Sequence, residues 1–534
     1  MDAGARDPGI ALVAIRWERV QLILDARIAP GTEVDPAGLS LERPTGGEAM
    51  APTRTTVEGD RLTVRYNVMV GPGLAPLGSG RWTLRAPVAV HDPRTVGPET
   101  ANGVFPLATG LYTVAPHFTP DPASGAERGS LAFEVLYDED VRREDPGAIK
   151  PIRQRASAGV RQAVFRLLVS VSKLLAGRGR RRILFTSRLI SEMSGNLKVV
   201  HDRMVERGLD READLISMLK PGITERWAFR DRFRLASTLA RADVILLDDT
   251  FPPLNWVELT EHVRIIQLWH ASGAFKTVGY SRAGKPGDLN PFLRTHKNYT
   301  AAIVSGEFDV PFYAEAFGIP EDRVVPTGIP RMDRFFDEGA RAAGAEAARA
   351  AFPEIVGRET ILFAPTYRGE TIRDATYGFE HLDYAALHAL CVERDAVVII
   401  RMHPFVQEPV AIPELFRDRI LDGSAAGIDV NDLMFAVDLV ITDYSSIVFE
   451  FSTLGRPMLF FAYDLDEYVA ARDFYVPFES FVPGRIVRTF PELLDVIRRG
   501  DYESEKVAAF AARHFAHLDG GSTDRVIDEL ILAP

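Results

Sequence analysis

The stretch Asp438–Tyr468 constrains the fold of this chain most, because its pattern predicts a strand, a polar turn, a helix and a second strand in close succession. The apolar run Leu439–Ile441 ends in the polar segment Thr442–Ser446, and apolar residues then recur at helical spacing. A glycine and a proline end the helix before a second apolar run, Met458–Phe461. Strands joined through a helix lie parallel in one sheet, so we predict an α/β fold with this polar turn at the carboxyl edge, where such sheets bind ligands.

The polar turn has two interpretations. The first N–H groups of a helix have no partner and the helix dipole favours negative charge, so Ser445 and Ser446 are suited to bind a phosphate or diphosphate. The same residue types, with Asp443, also cap helices that bind nothing. Taken alone the turn favours capping, and the choice depends on the other motifs of the chain.

Composition excludes several classes of protein. At 534 residues the chain is long enough for two or three domains. Its formal net charge of −12 argues against a protein that coats nucleic acid. A single cysteine, Cys391, excludes an intramolecular disulfide and a cysteine-based metal cluster. We see no secretory signal and no run of about 20 apolar residues, so we expect a soluble or peripheral protein.

Residues 1–148 have the pattern of β structure. Short runs rich in β-branched and aromatic residues are separated by glycine, proline and aspartate. The predicted strands are Ile10–Trp17, Val20–Ile28, Arg61–Val70, Arg81–Val90 and Leu131–Tyr137. We predict a sandwich-like all-β accessory domain, and its role stays open between recognising a polymer, contacting a partner and simply packing.

Residues 149–182 are predicted to form a basic amphipathic linker helix. The segment has no acidic residue from its first lysine onward, and its basic residues are Lys150, Arg153, Arg155, Arg161, Arg166, Lys173, Arg178, Arg180, Arg181 and Arg182. Apolar residues recur at helical spacing, namely Val160, Val164, Leu167, Leu168, Val171, Leu174 and Leu175. Such a helix suits an anionic membrane surface. It suits equally well a position between domains with a solvated basic face.

From Ile183 onward, short apolar runs alternate with helical segments, the pattern of doubly wound α/β units. The first unit, 183–340, is predicted to contain strands at Arg182–Ser187, Ala242–Leu247, Arg264–Leu268 and Ala301–Ser305. The second unit, 341–534, follows an alanine-rich helix and is predicted to contain strands at Ile361–Ala364, Val397–Arg401, Leu439–Thr442 and Met458–Phe461. Two such units predict a cleft between them, as in many nucleotide-sugar transferases.

Five polar clusters directly follow predicted strands and should therefore converge on that cleft. They are Gln267–Lys276, Gly328–Asp333, Ala364–Gly369, Arg401–Pro404 and Thr442–Ser446. In this order they resemble the CDP-glycerol glycerophosphotransferase family, the teichoic-acid primases and polymerases related to TagB and TagF. The resemblance covers roughly Ile183–Leu530 and departs from the family pattern at Ala271, where glycine is expected, and at Glu450, where relatives often have aspartate.

The resemblance implies a GT-B-type pair of Rossmann-like domains, with the acceptor domain first and the CDP-donor domain second. It implies transfer of glycerol phosphate, or a related polyol phosphate, from CDP-glycerol or CDP-ribitol to an acceptor hydroxyl, with release of CMP. The acceptor would be polymeric or linked to polyprenyl diphosphate, which places the enzyme peripherally at the cytoplasmic face of the membrane. No cofactor, metal or nucleic acid is expected, and monomer or homo-oligomer, primase or polymerase, and glycerol or ribitol all stay open.

Individual residues then take roles in this chemistry. His270 is the candidate general base for the acceptor hydroxyl, and His403 with Arg401 is expected to donate hydrogen bonds to the diphosphate. Arg331 and Arg368 can neutralise phosphoryl oxygens. The full predicted donor and phosphate site is Arg331, Asp333, Thr366, Arg368, Arg401, Thr442, Asp443, Ser445, Ser446 and Glu450. For Asp333 a capping role is an equal alternative. The rival functions are a nucleotide-sugar glycosyltransferase or epimerase of the same shape, and a polymer-binding protein with an inactive transferase half.

Overall fold

The computed structural model describes residues 9–31, 33–86, 88–90, 102–122, 125–143, 152–174, 179–220, 228–369, 374–424 and 427–533. It is a mixed α/β structure with three hydrogen-bonded sheets. A sheet-rich N-terminal region precedes two six-stranded parallel sheets. We call the parts that surround these two sheets the first unit and the second unit.

The N-terminal sheet has eleven described strands. They are β1 Ile10–Glu18, β2 Gln21–Ile28, β3 Leu41–Arg43, β4 Glu48–Met50, β5 Arg54–Glu58, β6 Arg61–Asn67, β7 Gly80–Leu84, β8 Val88–Val90, β9 Gly103–Leu107, β10 Gly110–Asp121 and β11 Gly125–Asp138. All their pairings are antiparallel except that of β1 with β8. Strands β3 to β5, β9 and β10 were not predicted, because the first three are short and the other two contain prolines, which are rare in strands.

The first unit contains a parallel sheet in the order β13-β12-β14-β15-β16-β17. Its strands are β12 Arg181–Ser187, β13 Ala213–Leu219, β14 Val244–Leu247, β15 Arg264–Gln267, β16 Ala301–Ile303 and β17 Val324–Val325. Its helices are α1 Ile152–Leu174, α2 Gly195–Glu206, α3 Phe229–Arg241, α4 Val310–Phe317 and α5 Glu338–Ala351. The nearly continuous burial of β14 and β15 is what a parallel sheet covered on both faces requires.

The second unit contains a parallel sheet in the order β20-β19-β18-β21-β22-β23. Its strands are β18 Glu359–Phe363, β19 Ala396–Ile400, β20 Ile420–Asp422, β21 Leu439–Thr442, β22 Met458–Phe461 and β23 Arg485–Val487. Its helices are α6 Tyr384–Arg394, α7 Val430–Phe435, α8 Ile447–Ser452, α9 Leu465–Ala471, α10 Phe478–Phe481, α11 Phe490–Arg499, α12 Glu505–His514 and α13 Ser522–Arg525, followed by a π-helical turn, Val526–Ile531. The strand order reverses between β18 and β21, the point at which open α/β sheets bind ligands.

The C-terminal segment returns from the second unit to the first. The N–H of Ala516 donates to the carbonyl of Ser305 at 2.9 Å. Further along, Asp524 of α13 pairs with Arg203 of α2 at 2.7 Å. One apolar core runs through both units, from Ile183 to Ile531. These contacts join the two units and set the width of the space between their carboxyl edges.

A buried lysine ties the N-terminal sheet to the first unit. Lys297 donates to the carbonyls of Met69 at 3.0 Å, Leu74 at 2.6 Å and Pro291 at 2.7 Å. Burial lowers the pKa of Lys297 to about 7. Three carbonyl acceptors compensate for the water that the ammonium group loses, so this contact fixes the loop after β6 against the first unit.

Helix α1 divides the apolar residues of the basic segment between two faces. Phe165 and Val169 are buried against the first unit, and Phe165 meets Trp256 edge-on at 5.7 Å. Other apolar side chains of the helix are exposed, namely Val160, Val164, Leu167, Val171 and Leu174. Lys150, Leu175 and Arg178 lie outside the described residues. The helix therefore packs on the first unit, as one interpretation predicted, and still leaves an apolar stripe uncovered.

In the described part of the chain, no helix has the length and hydropathy that crossing a membrane would require. The predicted domain boundaries at 148, 182 and 340 stay predictions.

Candidate active site

A cavity of about 230 Å³ lies between the carboxyl edges of the two parallel sheets. It is lined by residues that the sequence singled out, namely His270, Arg331, Arg401, His403, Ser445, Ser446 and Glu450. Four different loops and helix α8 supply these side chains. A cleft at this edge of two open sheets is where such folds hold their ligands.

His270 is held in a form that can accept a proton. It follows β15, and its Nδ1 lies 3.0 Å from the carbonyl oxygen of Asp248. Because a carbonyl can only accept, the proton of the neutral ring is on Nδ1, and Nε2 of that form has a lone pair that can accept a proton. Trp269, whose ring centroid lies 4.3 Å from that of His270, has a φ of 50°, a strained value for a bulky residue. Asn196 donates to the Trp269 carbonyl at 2.8 Å and so supports the strained turn.

His403 has the opposite arrangement. It follows β19, and its Nδ1 accepts the N–H of Phe405 at 3.2 Å. The proton of the neutral ring is therefore on Nε2. Burial, with a smaller contribution from the charge of Lys276, lowers the pKa of His403 to about 4. At neutral pH the ring is an uncharged hydrogen-bond donor, as predicted for a group that contacts a diphosphate.

Arg401 shapes the wall of the cavity. Its guanidinium donates to the carbonyls of Gly423 and Ser424, and to that of Ile428 at 3.0 Å. The N–H of Met402 also donates to the Ser424 hydroxyl at 2.9 Å. These contacts hold the loop after β20 beside α7, so Arg401 acts on the shape of the site through that loop.

Arg331 and Glu450 pair with each other across the two units. The buried Glu450 of α8 accepts hydrogen bonds from Arg331 and from the Ser272 hydroxyl, the latter at 2.7 Å. Arg331 also donates to the Ser272 oxygen at 3.0 Å. Arg331 Nε and Glu450 Oε2 are buried without a hydrogen-bond partner among the described residues. The pair thus joins the units and retains one donor and one acceptor.

Asp443 organises the reversal point between β18 and β21. Its Oδ1 accepts the N–H of Thr366 at 2.7 Å, and its Oδ2 pairs with Arg368 at 3.0 Å. Arg368 also binds Asp464, with contacts of 2.5 and 2.9 Å. Thr442 donates its hydroxyl to the carbonyl of the residue after β18, at 2.7 Å. These four predicted residues brace the loops behind the cavity, and their side chains do not form its wall.

The comparisons with known proteins agree with this geometry. Residues 169–532 match the family described as CDP-Glycerol:Poly(glycerophosphate) glycerophosphotransferase. This chain belongs to that family. It is 44% identical to teichoic acid ribitol-phosphate polymerase TarK of Staphylococcus aureus over 431 residues, 79% of this chain and 82% of TarK. It is 35% identical to TarL of the same organism over 563 residues, 97% of this chain and 98% of TarL.

A protein of known structure has a fold similar to that of this chain. The wall teichoic acid polymerase TagF superposes with a TM-score of 0.56 at 21% identity, covering 71% of this chain and 96% of that of TagF. The family that the five motifs predicted is therefore confirmed, and the superposition with TagF covers 71% of this chain.

Asp333 has a structural position in this member of the family. Its carboxylate accepts the N–H groups of Ser522 at 2.9 Å and Thr523 at 2.8 Å, and the Thr523 hydroxyl at 2.6 Å. These are the unpaired groups at the start of α13, so Asp333 caps that helix from the first unit. Of the two roles weighed for Asp333, the contacts favour capping.

Sequence reasoning missed several residues of the site in this family member. Asn431 and Met434 of α7 line the cavity but belong to no motif. Ser272 was part of a quoted motif, yet its link to Glu450 depends on a residue 178 positions away in the chain. A polar residue two positions after His270 was the available signal for Ser272. No local signal marks α7.

A larger cavity, of about 700 Å³, lies between the N-terminal sheet and the first unit. Two ion pairs in its wall are Arg19 with Glu315 at 2.6 Å and Arg54 with Glu321 at 2.7 Å. Neither His270 nor His403 lines this larger cavity. The smaller cavity, which holds both histidines, is therefore the candidate active site of this family member.

Proposed function

We propose that this protein transfers ribitol phosphate from CDP-ribitol to a hydroxyl group of a growing teichoic-acid polymer and releases CMP. The observation that carries the proposal is the pair of histidines in one cavity with opposite ring forms. Nε2 of His270 is free to accept a proton, and Nε2 of His403 is protonated and can donate a hydrogen bond. Phosphoryl transfer to a hydroxyl needs both groups.

The reaction follows from these two groups. The acceptor hydroxyl gives its proton to Nε2 of His270 as its oxygen attacks the β-phosphorus of the donor. The bond between that phosphorus and the oxygen shared with CMP breaks, and CMP leaves with the electron pair. His403 and the hydroxyls of Ser445 and Ser446 donate hydrogen bonds to phosphoryl oxygens, which gain charge in the transition state. A GT-B-type closure of the two units around the donor belongs to this proposal, and the facing carboxyl edges support it.

The choice of ribitol rests on the relatives. From the sequence alone, glycerol phosphate is the first expectation and ribitol stays open. TarK and TarL, at 44% and 35% identity, are both described as ribitol-phosphate polymerases. The family description itself names glycerophosphate. We therefore propose ribitol as the polyol and polymer extension as the step.

The test is CMP release by the purified protein offered CDP-ribitol, CDP-glycerol or a UDP-sugar, each with and without a teichoic-acid oligomer as acceptor. We expect acceptor-dependent CMP from CDP-ribitol, at least about tenfold faster than from CDP-glycerol. Faster release from CDP-glycerol would correct the polyol. Acceptor-dependent UDP release, with no CMP from either donor, would replace the proposal by a sugar transferase.

We also propose that α1 places the enzyme on the cytoplasmic face of the membrane. Its exposed apolar residues, from Val160 to Leu174, recur every three to four positions and form a stripe along one side of the helix, as in helices that lie at a membrane interface. Arg166 and Lys173 donate to the backbone carbonyls of Trp256 and Glu258. Because a carbonyl is uncharged, these contacts do not neutralise the two cations. Anionic headgroups complement this face, whereas a second copy of the helix would bring like charges together.

Vesicle co-sedimentation checks the membrane proposal. We expect the protein to sediment with phosphatidylglycerol vesicles and much less with phosphatidylcholine vesicles. The double variant Val164→Ser, Leu167→Ser should lose about tenfold in binding, because it removes apolar area from the stripe. Val205→Ser, which changes an exposed valine of α2, is the matched control. Equal vesicle binding by the double variant and the control would contradict the membrane proposal. So would a double variant that keeps its vesicle binding and changes from oligomer to monomer.

A further inference from the structure

The larger cavity lies between two walls of different character. Its volume of about 700 Å³ is in the range of pockets that hold small ligands, about 300–1,000 Å³. One wall comes from the N-terminal sheet, and the other is formed by α4 and the turn before it, with Tyr475 beside them. None of its lining residues lines the candidate active site. The cavity is therefore a separate space, which the proposed transfer does not use.

Two side-chain amides on the sheet wall have N–H groups without a protein partner. Gln21 of β2 and Asn67 of β6 lie directly opposite each other and are only 7% and 3% exposed. Their oxygens are in use, since Gln21 accepts the Thr53 hydroxyl at 3.4 Å and Asn67 accepts the N–H of Met69 at 3.1 Å. A backbone N–H can only donate, so the second contact fixes which end of the Asn67 amide is nitrogen.

The two NH₂ groups are available to a ligand. Both residues line the cavity, and no acceptor among the described residues contacts either group. Buried donors in proteins normally have a partner, from the chain itself, from water or from a ligand. Two such donors side by side on one face of a sheet are suited to a ligand that brings several oxygen atoms.

The opposite wall is largely apolar. Phe308, Pro311 and Phe312 line the cavity and keep part of their surface exposed. The ring centroid of Tyr475 lies 4.9 Å from that of Phe312. Donors on one side and aromatic carbon on the other suit a ring whose edge bears hydroxyl groups and whose face bears C–H groups. A sugar ring has this distribution of polarity.

The charges of the lining favour a neutral ligand. It contains three arginines and four glutamates, so it has no excess of positive charge to attract a phosphate or a polyanion. Each arginine is also paired. The pairs are Arg19 with Glu315 at 2.6 Å, Arg54 with Glu321 at 2.7 Å and Arg65 with Glu18 at 2.7 Å.

Arg19 holds the two walls in place. It lies in the turn between β1 and β2 with a φ of 55°, a strained value for a residue other than glycine. Its guanidinium binds the buried Glu315 of α4 and lies 5.1 Å from the centroid of the Tyr475 ring. The N–H of Tyr475 in turn donates to the carbonyl of Phe275, on the loop that follows His270, at 3.0 Å. The cavity is thus preformed and joined to the loop of the candidate general base.

We propose that the larger cavity binds a neutral saccharide, with oxygens of the sugar accepting hydrogen bonds from Gln21 and Asn67 and a C–H face against Phe312. Such a sugar has two sources, a free saccharide or a sugar residue attached to the acceptor polymer. Only the second source rests on the proposed function. In that case the site would hold the acceptor while its end reacts in the smaller cavity, which raises the effective concentration of that end.

Saturation-transfer NMR of the full-length protein tests the site. The probes are glucose, galactose, N-acetylglucosamine and N-acetylmannosamine, each with and without an excess of CMP. We expect transfer to at least one sugar, unchanged by CMP. Asn67→Asp keeps the oxygen that accepts the Met69 N–H and replaces only the NH₂ group, so it should weaken sugar binding about tenfold.

A second variant and a control complete this experiment. Gln21→Met removes the neighbouring amide at similar length and should weaken the same sugar, which keeps the test decisive if Asn67→Asp does not fold. Asn290→Asp is the matched control, because Oδ1 of Asn290 also accepts the N–H two residues on, that of Phe292 at 2.9 Å, and Asn290 lines neither cavity. It should bind the sugar as the wild type does.

Three results would overturn the saccharide site. They are no transfer to any of the four sugars, displacement of the sugar by CMP, and wild-type affinity in both variants while thermal unfolding shows them folded. The proposed function fails separately, if no CMP is released from CDP-ribitol or CDP-glycerol while sugar binding is normal.

Transfer assays with glycosylated and unglycosylated teichoic-acid oligomers identify the source of the sugar. A sugar carried by the acceptor predicts that Asn67→Asp raises the KM of the glycosylated oligomer about tenfold, with kcat and the unglycosylated oligomer unaffected. An unchanged KM for both oligomers, with sugar binding still weakened, would identify the ligand as a free saccharide.

Discussion

Replacing His270 by alanine is expected to lower the rate of transfer by about a thousandfold, the size of a general-base contribution. The Nδ1 of this ring is bound to the Asp248 carbonyl, so the protein positions Nε2 alone for chemistry. Donor binding should change little, because the phosphate contacts are assigned to the opposite wall of the cavity. The rate should be measured as CMP release in single turnovers with enzyme in excess over donor, and donor affinity by calorimetry.

A matched control is His262→Ala, which removes an exposed histidine whose ring contacts the hydroxyl of Thr260. It should leave both the rate and the affinity unchanged. If His270→Ala kept more than about a tenth of the wild-type rate, with normal donor affinity, another group would have to take the acceptor proton.

Replacing His403 by alanine is expected to weaken donor binding by about tenfold to a hundredfold and to slow turnover as well. The ring is a neutral donor beside the diphosphate site, and a hydrogen bond to a charged oxygen is worth about 1.5–3 kcal/mol. Because burial lowers the pKa of His403 to about 4, this contribution should not vary between about pH 6 and 8. Donor affinity and single-turnover rates at several pH values measure both effects.

His403→Gln provides the comparison, since its amide can supply an N–H near the same position. It should recover part of the affinity that His403→Ala loses. If His403→Ala lowered the turnover rate but kept the wild-type donor affinity, His403 would act in catalysis alone. That result would contradict its contact with the diphosphate.

The four central strands of each parallel sheet could be predicted because each of them is a short apolar run, whereas the edge strands β13, β17, β20 and β23 were not predicted. The bounds of β21 and β22 agree with Leu439–Thr442 and Met458–Phe461 as predicted. The positions of His270 and His403 directly after strands were also readable, since strand ends in open α/β sheets meet at one edge. The family that these clusters indicated is the one that the comparisons show.

The partners of the charged residues could not be predicted in the same way. Arg331 and Arg368 were both assigned to phosphate, since an isolated arginine in a motif carries no sign of its ion pair. In the structure Arg331 meets Glu450 and Arg368 meets Asp464, residues 119 and 96 positions away. Local sequence does not encode such distances, so an arginine that binds phosphate could not be told from one held in an ion pair.

The sequence by itself therefore determined the central strands of both parallel sheets, the polar edge at which they end and the chemical types of the residues gathered there, because side-chain periodicity is a local property of the chain. Tertiary structure decided which of those residues face the cavity and which brace it. Asp333 illustrates the difference. Its place in a motif suggested a ligand, but the return of the C-terminal segment puts the unpaired N–H groups of Ser522 and Thr523 against its carboxylate. A partly buried carboxylate such as that of Asp333 is stabilised by the nearest donors, and these come from elsewhere in the chain.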